Sequence, residues 1–240
     1  MTPRMIVVTG GAGFIGSNIV ARLCESGAWD VVVCDRLETA DLAKWKNIAK
    51  HPIADLWAPE ELFDQYAVRQ ADRGEAPPQW AGLKFFNVYG PNEGHKGGMK
   101  SVVAQIWPKV QAGETVSLFR SHNPNYPDGG QLRDFVFVDD VVGIILWLLE
   151  REDISGVFNA GSGQARSFAD LARATFAAAG KEPSIAYIDM PEAIRDRYQY
   201  FTEASMDRIR ALGYGGQSTP LEEGVRRYVQ DFLSQPDSYR

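Results

Sequence analysis

Thr9-Gly10-Gly11-Ala12-Gly13-Phe14-Ile15-Gly16 places glycines at positions 10, 13 and 16. Before it runs Met5-Ile6-Val7-Val8, an apolar run of the kind that forms a strand buried on both faces of a parallel sheet. After it, Ile15, Ile19, Val20 and Leu23 recur at helical spacing and predict a helix over 14–26, with Gly27 just past its end. Val31-Val32-Val33-Cys34 predicts a second buried strand, ending at Asp35. Strand, turn, helix and strand make one βαβ unit with a right-handed crossover. In such a turn the first glycine permits the bend, the second lets backbone approach a diphosphate, and the third lets helix and strand pack closely. The helix start adds free N–H groups and the positive end of its dipole. Gly10, Gly13, Phe14, Ile15 and Gly16 are the candidate dinucleotide contacts. Asp35, 19 residues after Gly16, is placed to bond the adenine ribose. Arg36 and Lys44 can accept a ribose 2′-phosphate, which points to NADP, with NAD as the alternative.

Farther along, the spacing predicts a polar helix or loop over 41–50, an amphipathic helix over 60–73 and a loop over 74–82. Strands are expected at 83–89, 116–119, 133–138, 156–161 and 185–188, and helices at 99–112, 141–150, 168–179, 203–212 and 219–233. Asp139-Asp140 and Ser167 stand where they can cap two of these helices. The expected class is α/β, a Rossmann-type doubly wound parallel sheet that is incomplete, with a smaller C-terminal α/β substrate domain. Residues 1–90 form the dinucleotide-binding domain, its sheet completed by about 132–160, while 91–131 and 161–240 form mainly the substrate domain.

The 240 residues carry a net charge of -6, which gives no case for nucleic acid or an anionic membrane surface. No apolar run reaches the roughly 20 residues of a membrane span, and Met5-Ile6-Val7-Val8 is too short for the apolar region expected of a secretory signal. Cys24 and Cys34 are too few for a disulfide framework or a thiolate metal site, and both suit packing. His95 and His122 lack partners at zinc-like spacing, so no metal is expected. A cytoplasmic protein fits this balance.

Several segments beyond the glycine turn resemble the ADP-glyceromanno-heptose 6-epimerases, a branch of the extended short-chain dehydrogenase/reductases. They are Ile53-Ala54-Asp55, the run 62–70, Phe85-Phe86-Asn87-Val88-Tyr89-Gly90-Pro91-Asn92-Glu93-Gly94-His95-Lys96-Gly97, the run 133–141 and Arg197-Tyr198-Gln199-Tyr200-Phe201-Thr202. The Gly-His-Lys-Gly and Arg-Tyr-Gln segments are the more particular. The resemblance implies a homo-oligomer whose bound NADP takes a hydride from C6 of an ADP-heptose and returns it to the other face of a transient ketone. It implies that Lys96 is an acid/base, that Val88 contacts the cofactor, and that Asn87, Gly98, Gln105, Phe119, Arg120, Ser121, His122, Arg133 and Tyr198 contact substrate. Gly98 and Gln105 depart from the Ser and His usual there. A guanidinium such as Arg133 matches phosphate oxygens. Another nucleotide-sugar epimerase or dehydratase, or a non-catalytic NADP or nucleotide-sugar binder, is the competing expectation.

One signature of that superfamily is missing. A catalytic tyrosine is followed four residues later by lysine, yet none of the nine tyrosines here is. Residues up to about Glu61 resemble the family's first quarter, and Leu62 onward resembles the helix that follows the signature. An internal deletion near 57–66, of roughly 60–100 residues by the measure of a full two-half fold, is therefore expected.

Overall fold

The structure is a computed structural model that describes residues 4–37, 42–62, 80–195 and 197–240. It divides into two compact units, one of Met1–Trp80, Pro91–Gly97 and Tyr239–Arg240, the other of Ala81–Gly90 and Gly98–Ser238. Segments 81–90 and 132–160 thus fall in the second unit, and 91–97 in the first, so the units part along lines other than the expected domain limits.

In the first unit, β1 (Arg4–Thr9), α1 (Phe14–Ser26) and β2 (Trp29–Cys34) form the expected βαβ element. A short α2 (Leu42–Lys46) and β3 (Asp55–Trp57) follow. The sheet is parallel in the order β1-β2-β3, with Val8 beside Val33 and Val33 beside Leu56. Val31 through Cys34 are all buried, which is why β2 reads as an unbroken apolar run. Gly27 ends α1 at φ 64°, donating its N–H to the Cys24 carbonyl. The helix expected over 60–73 and the loop over 74–82 lie mainly outside the described residues.

In the second unit the strands are β4 (Ala81–Phe85), β5 (Asn87–Tyr89), β6 (Val116–Phe119), β7 (Leu132–Phe137), β8 (Gly156–Ala160), β9 (Ala165–Ser167) and β10 (Ile185–Ile188). Between and after them come α3 (Val102–Ala112), α4 (Val138–Leu149), α5 (Phe168–Ala178), α6 (Glu192–Arg195), α7 (Asp207–Ala211) and α8 (Leu221–Arg227), the last running on as a π-helical turn, Tyr228–Leu233. β4 pairs with β8, β5 with β7 and β6 with β10, all parallel, while β9 joins β7 antiparallel. The single strand expected over 83–89 breaks at Phe86, because β4 and β5 follow different partners there. Ile144, Leu148, Phe158, Met206 and Ile209 centre the core between α4, β8 and α7.

Ser167 caps α5 in a full capping box with Asp170. The cap expected of Asp139-Asp140 does not form: α4 begins at Val138 with no side-chain cap. Asp140 instead accepts from the Thr219 N–H and hydroxyl at 2.9 and 2.7 Å, tying down the entry to α8. The helix expected over 203–212 shortens to α7.

Candidate functional site

The glycine turn has the geometry its residues predict. Gly10 sits at φ 66°, where a side chain is strained, and its carbonyl accepts from Gly13 N–H at 2.9 Å. A Cβ on Gly16 would overlap the Gly10 carbonyl, so close packing of α1 on the turn needs a glycine there. Gly13 begins the helix with no side chain capping it, and the first intrahelical bond runs from Ser17 N–H to Gly13 O. The amides of Phe14, Ile15 and Gly16 precede that bond, a donor set suited to a diphosphate.

Asp35 closes β2 beside this turn. Its Oδ2 accepts from Ala12 N–H at 2.9 Å, and its Oδ1 from Lys44 Nζ at 2.8 Å. Arg36 turns outward and bonds Glu60 at 2.6 Å, both side chains largely exposed. The residue's own backbone N–H and, after it, the Arg36 contact hold the Glu60 carboxyl below the usual range. A cavity of about 500 Å³ opens here, lined by Asp35, Arg36, Leu37, Trp45, Trp57 and residues 58–61 among others. Its apolar and indole walls beside a carboxylate suit an adenine ribose.

A buried polar network lies under the turn. Asn47, fully buried, donates its side-chain amide to Ala12 O at 2.8 Å and lies 3.2 Å from His95 Nδ1. Asn92, at φ 71° the one described non-glycine residue with positive φ, bonds the Ser17 hydroxyl at 3.0 Å. Asn18 donates to the carbonyls of Phe14 and Pro91. These bonds fasten segment 91–97, and with it Lys96, to the glycine turn. The Lys96 ammonium stands 4.8 Å from the centroid of the Phe14 ring.

In the second unit three of the nine expected substrate contacts, Gln105, Phe119 and Tyr198, line a cavity of about 320 Å³ together with Gln131 and Phe168 among others. Phe119 and Tyr198 meet edge to face at 6.4 Å. The Arg133 guanidinium stacks on Tyr198 and Phe168, at 5.3 and 5.7 Å, and donates to Leu132 O. Burial pulls its pKa down and pushes that of the Tyr198 phenol up. Arg133 does not pair with Asp134, whose oxygens are taken by Ser162, Gly163 and Ala204. Gln131 fixes the loop 119–122 by donating to Phe119 and Arg120 carbonyls at 3.3 Å. Along that loop Arg120 faces Asp189 and Asp128, the Ser121 N–H bonds Asp128, and the His122 N–H bonds the Tyr200 hydroxyl. Gln105 donates to the carbonyls of Lys100 and Gly98. Asn87 and Val88 sit on β5 and do not line this cavity, and Lys96 belongs to the first unit. Gln131, Phe168, Asn47 and Glu60 were not singled out by the sequence; Gln131 and Asn47 are buried polar residues, and the part each of the four plays is visible only once its neighbours are known.

A parallel βαβ element with an uncapped glycine turn and a carboxylate at the end of its second strand is characteristic of the Rossmann-type nucleotide-binding folds. The sequence pattern of the NAD dependent epimerase/dehydratase family matches residues 6–70 and 62–161. The chain is 34% identical over 328 aligned residues to ADP-L-glycero-D-manno-heptose-6-epimerase of Nitratidesulfovibrio vulgaris (strain DP4), covering 98% of this chain and 100% of that protein. It is 34% identical over 336 aligned residues to the protein of the same name from Fusobacterium nucleatum subsp. nucleatum, with the same coverage. The crystal structure of Helicobacter pylori ADP-L-glycero-D-manno-heptose-6-epimerase superposes with a TM-score of 0.76 at 23% identity, over 95% of this chain and 96% of that one. The chain belongs to the NAD dependent epimerase/dehydratase family, on its ADP-L-glycero-D-manno-heptose-6-epimerase branch. Aligned lengths of 328 and 336 exceed the 240 residues of the chain, so its relatives carry an inner stretch with no counterpart here. The two family matches overlap at 62–70.

Proposed function

We propose that the chain is an ADP-heptose 6-epimerase by descent, binding a nicotinamide dinucleotide in its first unit and the nucleotide sugar in its second. The observation that carries this is the uncapped amide set of the glycine turn beside Asp35. The amides of Phe14, Ile15 and Gly16 hold the dinucleotide's diphosphate, and Asp35 orients its adenine ribose. A nicotinamide dinucleotide held there would supply reversible hydride chemistry at C6 of the sugar. Arg133 binds the nucleotide sugar's diphosphate, and Phe119, Phe168 and Tyr198 enclose its apolar parts. Lys96 takes and returns the proton of the C6 hydroxyl. Arg36 and Lys44 are the groups that favour NADP over NAD. A cytoplasmic homo-oligomer belongs to the same reading.

The chain lacks the tyrosine–lysine pair, and one positioned acid/base is worth about 10²–10⁴-fold in rate. Turnover is therefore expected to be low. Incubating the purified chain with either ADP-heptose epimer and NADP+ tests this: both ligands bind and the epimers interconvert slowly. Binding with no exchange favours a non-catalytic binder, the reading that the missing pair supports. A rate unaffected by Lys96→Met would contradict the role of Lys96.

A further inference from the structure

We infer that Glu60 is a specificity-determining residue, one that disfavours a 2′-phosphate on the bound dinucleotide by occupying Arg36. This rests on the dinucleotide reading of the glycine turn and concerns the same site. A free 2′-hydroxyl is satisfied by a carboxylate such as Asp35, whereas a 2′-phosphate dianion requires cations. Both cations at the end of β2 are engaged by carboxylates: Lys44 by Asp35 at 2.8 Å and Arg36 by Glu60 at 2.6 Å.

Glu60 is held in place by its turn. Ala58 N–H bonds the Glu61 carboxylate at 2.9 Å and Glu61 N–H returns to Ala58 O at 3.0 Å, just after β3 ends. Arg36 and Glu60 both line the cavity beside Asp35, so an incoming phosphate meets the Glu60 charge as well as the guanidinium it holds. The pair is solvent-exposed, at 73% and 63% for the two side chains, so breaking it leaves the fold intact. Its effect lies in competition: the phosphate binds Arg36 only after Glu60 has let go.

The probes are 2′,5′-ADP and 5′-AMP, which differ by the 2′-phosphate and need no nicotinamide pocket. Equilibrium dialysis of the full chain, freed of co-purified nucleotide, is run for the native protein, Glu60→Gln, Arg36→Gln and the double variant, with thermal melts confirming the fold of each. Glu60→Gln should tighten 2′,5′-ADP by about tenfold, the scale of one charge-assisted contact, and leave 5′-AMP within about twofold. The gain should vanish in the double variant, because it acts through Arg36. Equal tightening of both probes, no tightening of either, or a gain that survives Arg36→Gln would overturn the inference. If no variant binds either probe, the dinucleotide reading itself fails, and this inference with it.

Discussion

The ammonium of Lys96 stands 4.8 Å from the centre of the Phe14 ring, at the first residue of the helix that leaves the glycine turn. The lysine of the Gly-His-Lys-Gly segment and the turn are thereby parts of one unit. Half-buried over an aromatic face, such a cation contributes about 0.5–1 kcal/mol. Lys96→Met should lower the unfolding free energy by no more than that in a urea melt, while removing the residual epimer interconversion.

Asn47 is the fastener between that segment and the turn. Replacing it by Ala strips a donor from the buried Ala12 carbonyl, and leaving a buried polar group unsatisfied costs about 1–3 kcal/mol. Asn47→Asp should be worse, since a carboxylate oxygen would then face a carbonyl oxygen. Denaturant melts of the two variants give the order, and an Asp variant as stable as native would contradict this account of the network.

The three glycines of the turn should differ in kind. Gly16→Ala puts a methyl into the Gly10 carbonyl and should destabilise the fold itself. Gly13→Ala keeps an ordinary φ of -74° and meets Gly10 O at 3.1 Å, a tight but adjustable contact. Thermal melts should show a large drop for the first and a small one for the second.

Asp140 offers a test in pH. Burial raises its pKa in the fold, against the opposing bonds from Thr219. A carboxyl with a raised native pKa favours the folded state below its unfolded pKa, and loses that advantage as pH rises through the native value. As pH rises upward from the ordinary aspartate value of about 3.9, Asp140→Asn should flatten this part of the stability profile. Parallel urea melts of the two proteins should show the native chain losing more stability on the rise than the variant.

The part of the fold that could be read from the chain is the part encoded locally. A run such as Val31–Cys34 and a helix bounded by Gly13 and Gly27 need no knowledge of distant neighbours. The missing tyrosine–lysine pair is equally plain, because it is a spacing. By contrast β3 is three residues long, too short to show a period, and its place is fixed by Val32 and Cys34 across the sheet. Asp140 looks like a helix cap in sequence, yet its partner is Thr219, 79 positions away. Asn47 and Glu60 gain their meaning only from Ala12 and Arg36, which lie far from them in sequence. Arg133 and Tyr198 were legible through resemblance, while their stacking on Phe168 belongs to the folded chain alone.

The central claim is that the amides opening α1 hold a dinucleotide's diphosphate. Isothermal titration of NADPH into the full chain, native and Gly13→Ala, measures it directly. The account predicts saturable binding at one site per chain, weakened at least tenfold or so by the added methyl where backbone must approach the ligand closely. Absence of saturable binding, or an affinity that Gly13→Ala leaves unchanged, would contradict it.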